Sequence, residues 1–198
     1  YQGGVRAFQK MAEAYGTDVN ERQALTIRND WREANKPIVK LWVDTERAAR
    51  NAISYGKESP ACKGLFKFVK GDLLFKLPSG RILSFPEAKM VQGDRGMDLV
   101  YSGMNNHTHR WGQIKAYGGS LVQSITQAVA RDLLAEAVLR LEKNKYPVVL
   151  HVHDEIVADV TVGYGSVDEL SDLMCVLPEW AKGIPVTAEG YESTRYNT

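Results

Sequence analysis

Cysteine is scarce in this sequence, and what there is has no pattern. Cys62 and Cys175 are the only two. They lie far apart, in neither a metal-type nor a redox-type spacing, which excludes a disulfide framework and leaves a reduced intracellular protein as the expectation. No apolar run approaches membrane-spanning length and no signal peptide opens the chain, so the expected location is cytoplasmic, with no membrane partner. Low-complexity tracts are also missing. With 44% hydrophobic and 25% charged residues the chain reads as compact throughout. Net charge is nearly absent at +1, but this excludes no partner, because one face can grip a polyanion while acid elsewhere balances it. A starting methionine is lacking as well: the 198 residues begin at Tyr1, which suggests a piece of a longer protein.

Charge is informative only locally. From Lys63 to Arg81 the chain carries Lys63, Lys67, Lys70, Lys76 and Arg81 against Asp72 alone. From Asn105 to Lys115 it carries His107, His109, Arg110 and Lys115 with no acid. Such runs are most often solvated faces, yet Phe66, Phe68, Phe75 and Trp111 interleave with them, a mixture that suits nucleic-acid contact.

Periodicity predicts helices at Val5 to Tyr15, ended by Gly16, and at Glu21 to Ala34, burying Leu25, Ile27 and Trp31. A third helix begins at Pro37, with Ile38, Leu41, Trp42, Ala49, Ala52 and Ile53 as its apolar stripe. The period then shortens. Leu65 to Val69, Leu73 to Leu77 and Arg81 to Phe85 read as an antiparallel meander, followed by a strand at Met97 to Gly103 and a loop to Gly119. Ser120 to Lys143 is the longest predicted helix, with Leu121, Ile125, Val129, Leu133, Ala137 and Leu141 at every fourth position. Gln123, Gln127 and Arg131 form a polar row beside them, able to read a DNA groove or simply to face solvent. Ser166 and Glu169 form a capping-box pattern for a helix that Pro178 stops. Ile184 to Tyr191 is expected to add a last strand. No internal repeat and no long linker separates independent domains.

The stretch that draws most attention is Val148 to Val160, VVLHVHDEIVADV. Its near-continuous hydrophobicity predicts two central strands covered on both faces, with His153, Asp154 and Glu155 as the knot between them. Asp-Glu is not a pair that a tight turn demands. Adjacent carboxylates at a buried tip repel and lose hydration, a cost removed by a cation, so a metal site at Asp154 and Glu155 competes with an ordinary solvated turn.

The knot VHDEI, Val152 to Ile156, resembles the second catalytic motif of family A DNA polymerases. Tyr117 to Leu141, YGGSLVQSITQAVARDLLAEAVLRL, is similar to the palm helix that precedes that motif, especially in short phage-type members. LPSGR at Leu77 to Arg81, the Pro37 helix and the opening YQGG fit the same subgroup in the same order, so the resemblance covers essentially the whole chain. It implies an α+β fold: residues 1–60 as the helical C-terminal part of the fingers, and 61–198 as an antiparallel palm sheet with the long helix packed on it. Asp154 would be a catalytic metal ligand, Glu155 a second acid beside it, and His153 would pack near the primer terminus. Gln123 and Gln127 would contact the minor groove, Arg131 would continue their DNA-binding row, and Tyr1 would stand beside the templating base. The implied reaction is template-directed nucleotidyl transfer with two Mg²⁺ ions, on primer–template DNA and a dNTP, in a bacterial or phage-infected cell. The other metal-binding aspartate and the cations that hold the triphosphate would lie upstream of Tyr1. An upstream polymerase segment or subunit is therefore an expected partner, and the chain alone is expected to be inactive.

Two rival readings use the same residues. All four histidines fall in H-x-H pairs, His107/His109 and His151/His153, which on a strand could chelate Zn²⁺ with Asp154 as in a metallohydrolase. A non-catalytic DNA-binding or complementing subunit would use the basic stretches and the glutamine row but give Asp154 no chemistry.

Overall fold

A computed structural model describes residues 2–94, 96–105 and 108–196. Tyr1, Asn106 and His107, all of interest in the sequence, lie outside them. The fold is α+β with every strand pair antiparallel. The strands form three separate sheets of four, three and two strands among the described residues. The chain divides into two compact units, one comprising residues 1–77 and 81–125 and the other 78–80 and 126–198.

In the first unit, helices α1 (Val5–Ala14), α2 (Glu21–Ala34) and α3 (Lys36–Tyr55) follow one another with short breaks. Asn20 caps α2 through a reciprocal pair with Gln23, its side chain accepting from the Gln23 N–H at 2.9 Å while Gln23 Oε1 accepts from its backbone at 3.0 Å. The residues expected to bury α2 do not. Leu25, Ile27 and Trp31 are exposed, Trp31 by 44%, and the small Ala24 takes the buried position. Trp31 instead stacks on the buried Trp42 of α3, ring centroids 5.7 Å apart. In α3 the core positions are Trp42, Thr45, Ala48, Ala49 and Ala52, so Ile38 and Leu41, at the exposed start of the helix, fall outside the buried stripe. Burial raises the Cys62 thiol above its ordinary pKa, and the contact with Thr45 Oγ1 at 3.1 Å offsets only part of this.

The meander runs as β1 (Ser59–Ala61), β2 (Gly64–Val69), β3 (Asp72–Lys76) and β4 (Ile82–Phe85), in that order across the sheet. Alternation sorts its side chains: Phe66, Leu73, Phe75 and Phe85 are buried, while Lys67, Lys76 and Ser84 are exposed. A second sheet contains β5 (Lys89–Gly93), β6 (Gly96–Met104) and β7 (Trp111–Ala116). Strand β7 occupies part of the predicted loop. Its apolar signal is thin, with two small residues, Gly112 and Ala116, among its three inward positions.

Helix α4 (Gly118–Lys143) begins in the first unit and ends in the second. Its buried face changes side on the way. Leu121, Ile125, Ala128 and Asp132 are buried within about 60° of one another around the axis at 100° per residue, whereas Leu134, Ala137 and Leu141 are buried on the opposite side. Leu139, on the line of Leu121, is exposed. The every-fourth-residue stripe read from the sequence is therefore two half-stripes, and Val129 and Leu133 are only half-buried where they meet. In the second unit Asp132 Oδ2 accepts from Ser79 Oγ at 2.5 Å.

The second unit also holds strands β8 (Val148–Val152) and β9 (Glu155–Ala158) and helix α5 (Val167–Cys175). The expected central strands are a separate two-stranded hairpin among the described residues, and Val149 and Leu150 are 61% and 43% exposed. The expected last strand at Ile184 to Tyr191 is absent as well. That segment pairs with no strand among the described residues, and Pro185 and Gly190 both disfavour a ladder. No described helix is long and apolar enough to cross a membrane.

Candidate active site

The hairpin starts from a fixed base. Glu142, in the last turn of α4, accepts the Val148 N–H at 2.6 Å, and the Asp159 N–H donates to Pro147 O at 3.0 Å across the open end. Between helix and strand stands Tyr146, 2% exposed. Its hydroxyl donates to Glu169 Oε2 at 2.7 Å and accepts from the Ser166 N–H at 3.2 Å. Ser166 is at the same time the N-cap of α5, accepting from the Glu169 N–H at 3.1 Å. Only half of the expected capping box forms, because the Glu169 carboxylate is engaged by the tyrosine. Gly165 permits this approach: at φ +65° it adopts a left-handed conformation, and a Cβ there would lie 2.0 Å from Tyr146 Oη.

Hydrogen bonding to Glu169 raises the Tyr146 pKa above the ordinary tyrosine value, since a phenolate would lose that bond and face a carboxylate. The folded state thus holds the proton to higher pH than the unfolded chain. The resulting stability is complete below the unfolded pKa of about 10 and is lost as pH rises through the folded one. We expect Tyr146→Phe to lower the melting temperature by several degrees at neutral pH and to weaken the alkaline loss of stability. Thermal melts of both proteins from neutral to strongly alkaline pH provide the check.

At the closed end Val152 pairs with Glu155, leaving His153 and Asp154 as a two-residue turn. The turn is thus one residue shorter than the knot read from the sequence, with Glu155 the first residue of β9 and His153 carrying the positive φ of +53°. Histidine tolerates this region better than most non-glycine residues, at a cost of about 1 kcal/mol or somewhat more. A positive φ at the first turn position matches the twist of the flanking strands. Along β8, Val149 is an extra residue between the pairs Val148/Ala158 and Leu150/Val157, a bulge that twists the strand below the turn.

Asp154 and Glu155 are both exposed. This corrects the premise that they lose hydration at a buried tip. What distinguishes them is placement on a short turn and one partner from far along the chain: Tyr196 Oη donates to Glu155 Oε2 at 3.1 Å. That bond, chiefly, raises the Tyr196 pKa. Nothing in the spacing of the sequence indicates Tyr196, which lies 41 residues away.

Exposed carboxylate oxygens suit a hard cation such as Mg²⁺ better than a soft one. By itself, though, the turn offers only Asp154 and Glu155, fewer than the roughly six oxygen ligands of an octahedral shell. Among the described residues no group of three His, Cys, Asp or Glu could hold a metal ion. Of the two histidine pairs that the zinc reading uses, one includes His107, which lies outside the described residues. His151 lies on β8 but His153 is in the turn with left-handed backbone, so the two are not successive same-face strand positions.

The glutamine row is partly accessible. Gln127 and Arg131 are exposed on α4, and Gln123 is half-buried. Gln127, Arg131 and the acidic turn belong to the second unit, while Gln123 belongs to the first. A shallow cleft of about 500 Å³ lined by Arg32, Lys36 and Lys40, among others, contains none of the candidate residues.

No family model and no solved structure matches the chain. A curated protein does: the chain is 40% identical, over 199 aligned positions and 99% of its own length, to a protein named DNA polymerase from Bacillus phage SP02. It spans 30% of that protein's length.

Proposed function

We propose that the chain is the C-terminal part of a family A DNA-directed DNA polymerase, with residues 1–60 in the fingers and 61–198 in the palm. The observation that carries this reading is the similarity to the phage polymerase along nearly the whole chain. In the reaction the primer 3′-hydroxyl attacks the α-phosphorus of a dNTP, a new phosphodiester bond forms, and pyrophosphate leaves. When bound, Mg²⁺ ions stabilise the attacking oxygen and the leaving pyrophosphate.

Asp154 presents its carboxylate as one metal ligand from a turn whose direction His153 sets. Glu155, held by Tyr196, supplies a second acid beside it. Gln123 and Gln127 donate amide hydrogens to the minor-groove acceptors that every base pair carries, and Arg131 holds a phosphate. The remaining metal ligands and the groups that hold the triphosphate come from an upstream polymerase segment. The working compartment is the cytoplasm of a bacterial or phage-infected cell.

Primer extension on a primed template with Mg²⁺ tests this reading, comparing the chain alone with the chain plus a polypeptide carrying the upstream motifs. We expect extension only in the mixture. Robust extension by the chain alone would refute the divided site. Two folded partners that bind DNA but never extend a primer would favour the complementing DNA-binding subunit.

A further inference from the structure

Acid is missing from a far longer stretch than the basic loop. Between Asp98 and Asp132 no Asp or Glu occurs, while Arg110, Lys115, Arg131 and His109 do. Strand β7 lies in this acid-free stretch, at the edge of its sheet, so one side of its backbone ladder has no strand partner among the described residues. Its inward positions, Gly112, Ile114 and Ala116, are half-buried or buried, and its outward ones, Trp111, Gln113 and Lys115, are all exposed. An indole, an amide and an ammonium therefore line one face, at a repeat of about 6.8 Å.

Trp111 is 66% exposed. A tryptophan that only fills a core would not be found here. It pairs across the ladder with exposed Met104 and follows exposed Arg110. The backbone beneath is well tied: the Asn105 N–H donates to Arg110 O at 2.9 Å, the His109 N–H to Asn105 O at 2.8 Å, and the Thr108 N–H to Asn105 Oδ1 at 3.0 Å. Lys115 shares its charge with Asp98 at 2.6 Å. Arg110, the residue before the indole in sequence, is a further exposed cation at this end of the strand.

We propose that this outward face of β7, with Trp111 and Arg110 at its end, is a binding track for single-stranded nucleic acid. Inside a duplex the base faces are covered by stacking neighbours, whereas each unpaired base can offer its flat face to an indole, and such stacking is tolerant of sequence because every base has that face. Arg110 meets the adjoining phosphate, and Gln113 provides a hydrogen-bonding group farther along the strand. The choice of nucleic acid as the occupant rests on the polymerase reading, where single-stranded template is a substrate, and on the exposed Arg110 beside an indole 66% exposed.

Fluorescence anisotropy of labelled oligo(dT), and of a blunt duplex of equal length, tests this on the intact chain. We expect oligo(dT) to bind more tightly than the duplex. Trp111→Ala should weaken oligo(dT) binding by about tenfold, as for the loss of one stacked base, and Trp111→Phe should stay within about twofold of wild type. Arg110→Ala should weaken both probes and flatten the salt dependence. The proposal is overturned if wild type ignores oligo(dT), if Trp111→Ala binds it unchanged, if Trp111→Phe falls as far as Trp111→Ala, or if Trp111→Ala weakens duplex binding equally. The polymerase reading fails separately, by the absence of primer extension in the mixed assay.

Discussion

Asp154→Ala should reduce primer extension in the mixed assay on the order of a thousandfold, the scale on which active sites lose rate when a preorganised charge-stabilising group is removed. Stability should hardly change. Asp154 is exposed, and exposed substitutions away from special contacts stay within about 0.5 kcal/mol. The combination is diagnostic, because a residue that merely shapes the turn would change folding and activity together. Asp154→Glu sharpens the test: it keeps the charge but moves the carboxylate outward by one methylene, and a site that depends on fixed geometry should recover only a small part of the rate. Activity unchanged in Asp154→Ala would remove the acidic turn from the chemistry altogether.

Gly118→Ala should have the largest effect on stability. A Cβ at this position would lie 2.1 Å from the Trp42 carbonyl oxygen, 2.6 Å from its carbon and 3.1 Å from its Cα. All three are main-chain atoms of α3, so no side-chain rotation relieves the collision. The first turn of α4 has to move away, and it carries further bonds with it. The Gly118 N–H donates to Glu46 Oε2 at 2.9 Å, Glu46 Oε1 accepts from Arg50 Nη2 at 2.8 Å, and Arg50 Nη1 reaches Met97 O at 2.7 Å. We expect a loss of about 3 kcal/mol or more, at the upper end for overpacking because backbone rather than side chain must yield. Gly112→Ala is the control, with nothing within 4 Å of its Cβ and an expected change below about 1 kcal/mol. Urea denaturation of the three proteins decides, read as a shift in midpoint.

Helix limits were the most legible feature of the sequence, because caps and breakers are local. Asn20, Gly16, Gly56 and Ser166 end or begin helices through their own side chains or backbone freedom. Burial was less legible. Trp31, Ile38 and Leu41 are apolar at helical spacing, as core residues are, and are nevertheless exposed; periodicity identifies a stripe but not what covers it. Strand β7 was hidden because two of its inward residues are small. In the candidate site, Asp154 and Glu155 could be picked out from their neighbours, whereas Tyr196 could not, since its bond to Glu155 depends on the path of the chain. The turn was read one residue too long, because Asp-Glu was the conspicuous pair while Glu155 belongs to β9 and the left-handed conformation falls on His153.

The change of buried face along α4 bears on cooperativity. A helix with one continuous apolar side can lose a few contacts and remain wound on the rest. In α4 the N-terminal turns are buried through Leu121 and Ile125 and the C-terminal turns through Leu134, Ala137 and Leu141, on opposite sides. Neither half offers the other a spare apolar surface. The single run of main-chain hydrogen bonds that joins them makes unwinding of one half costly to the end of the other. Thus α4 transmits stability along its own length, and its two halves should gain or lose order in concert.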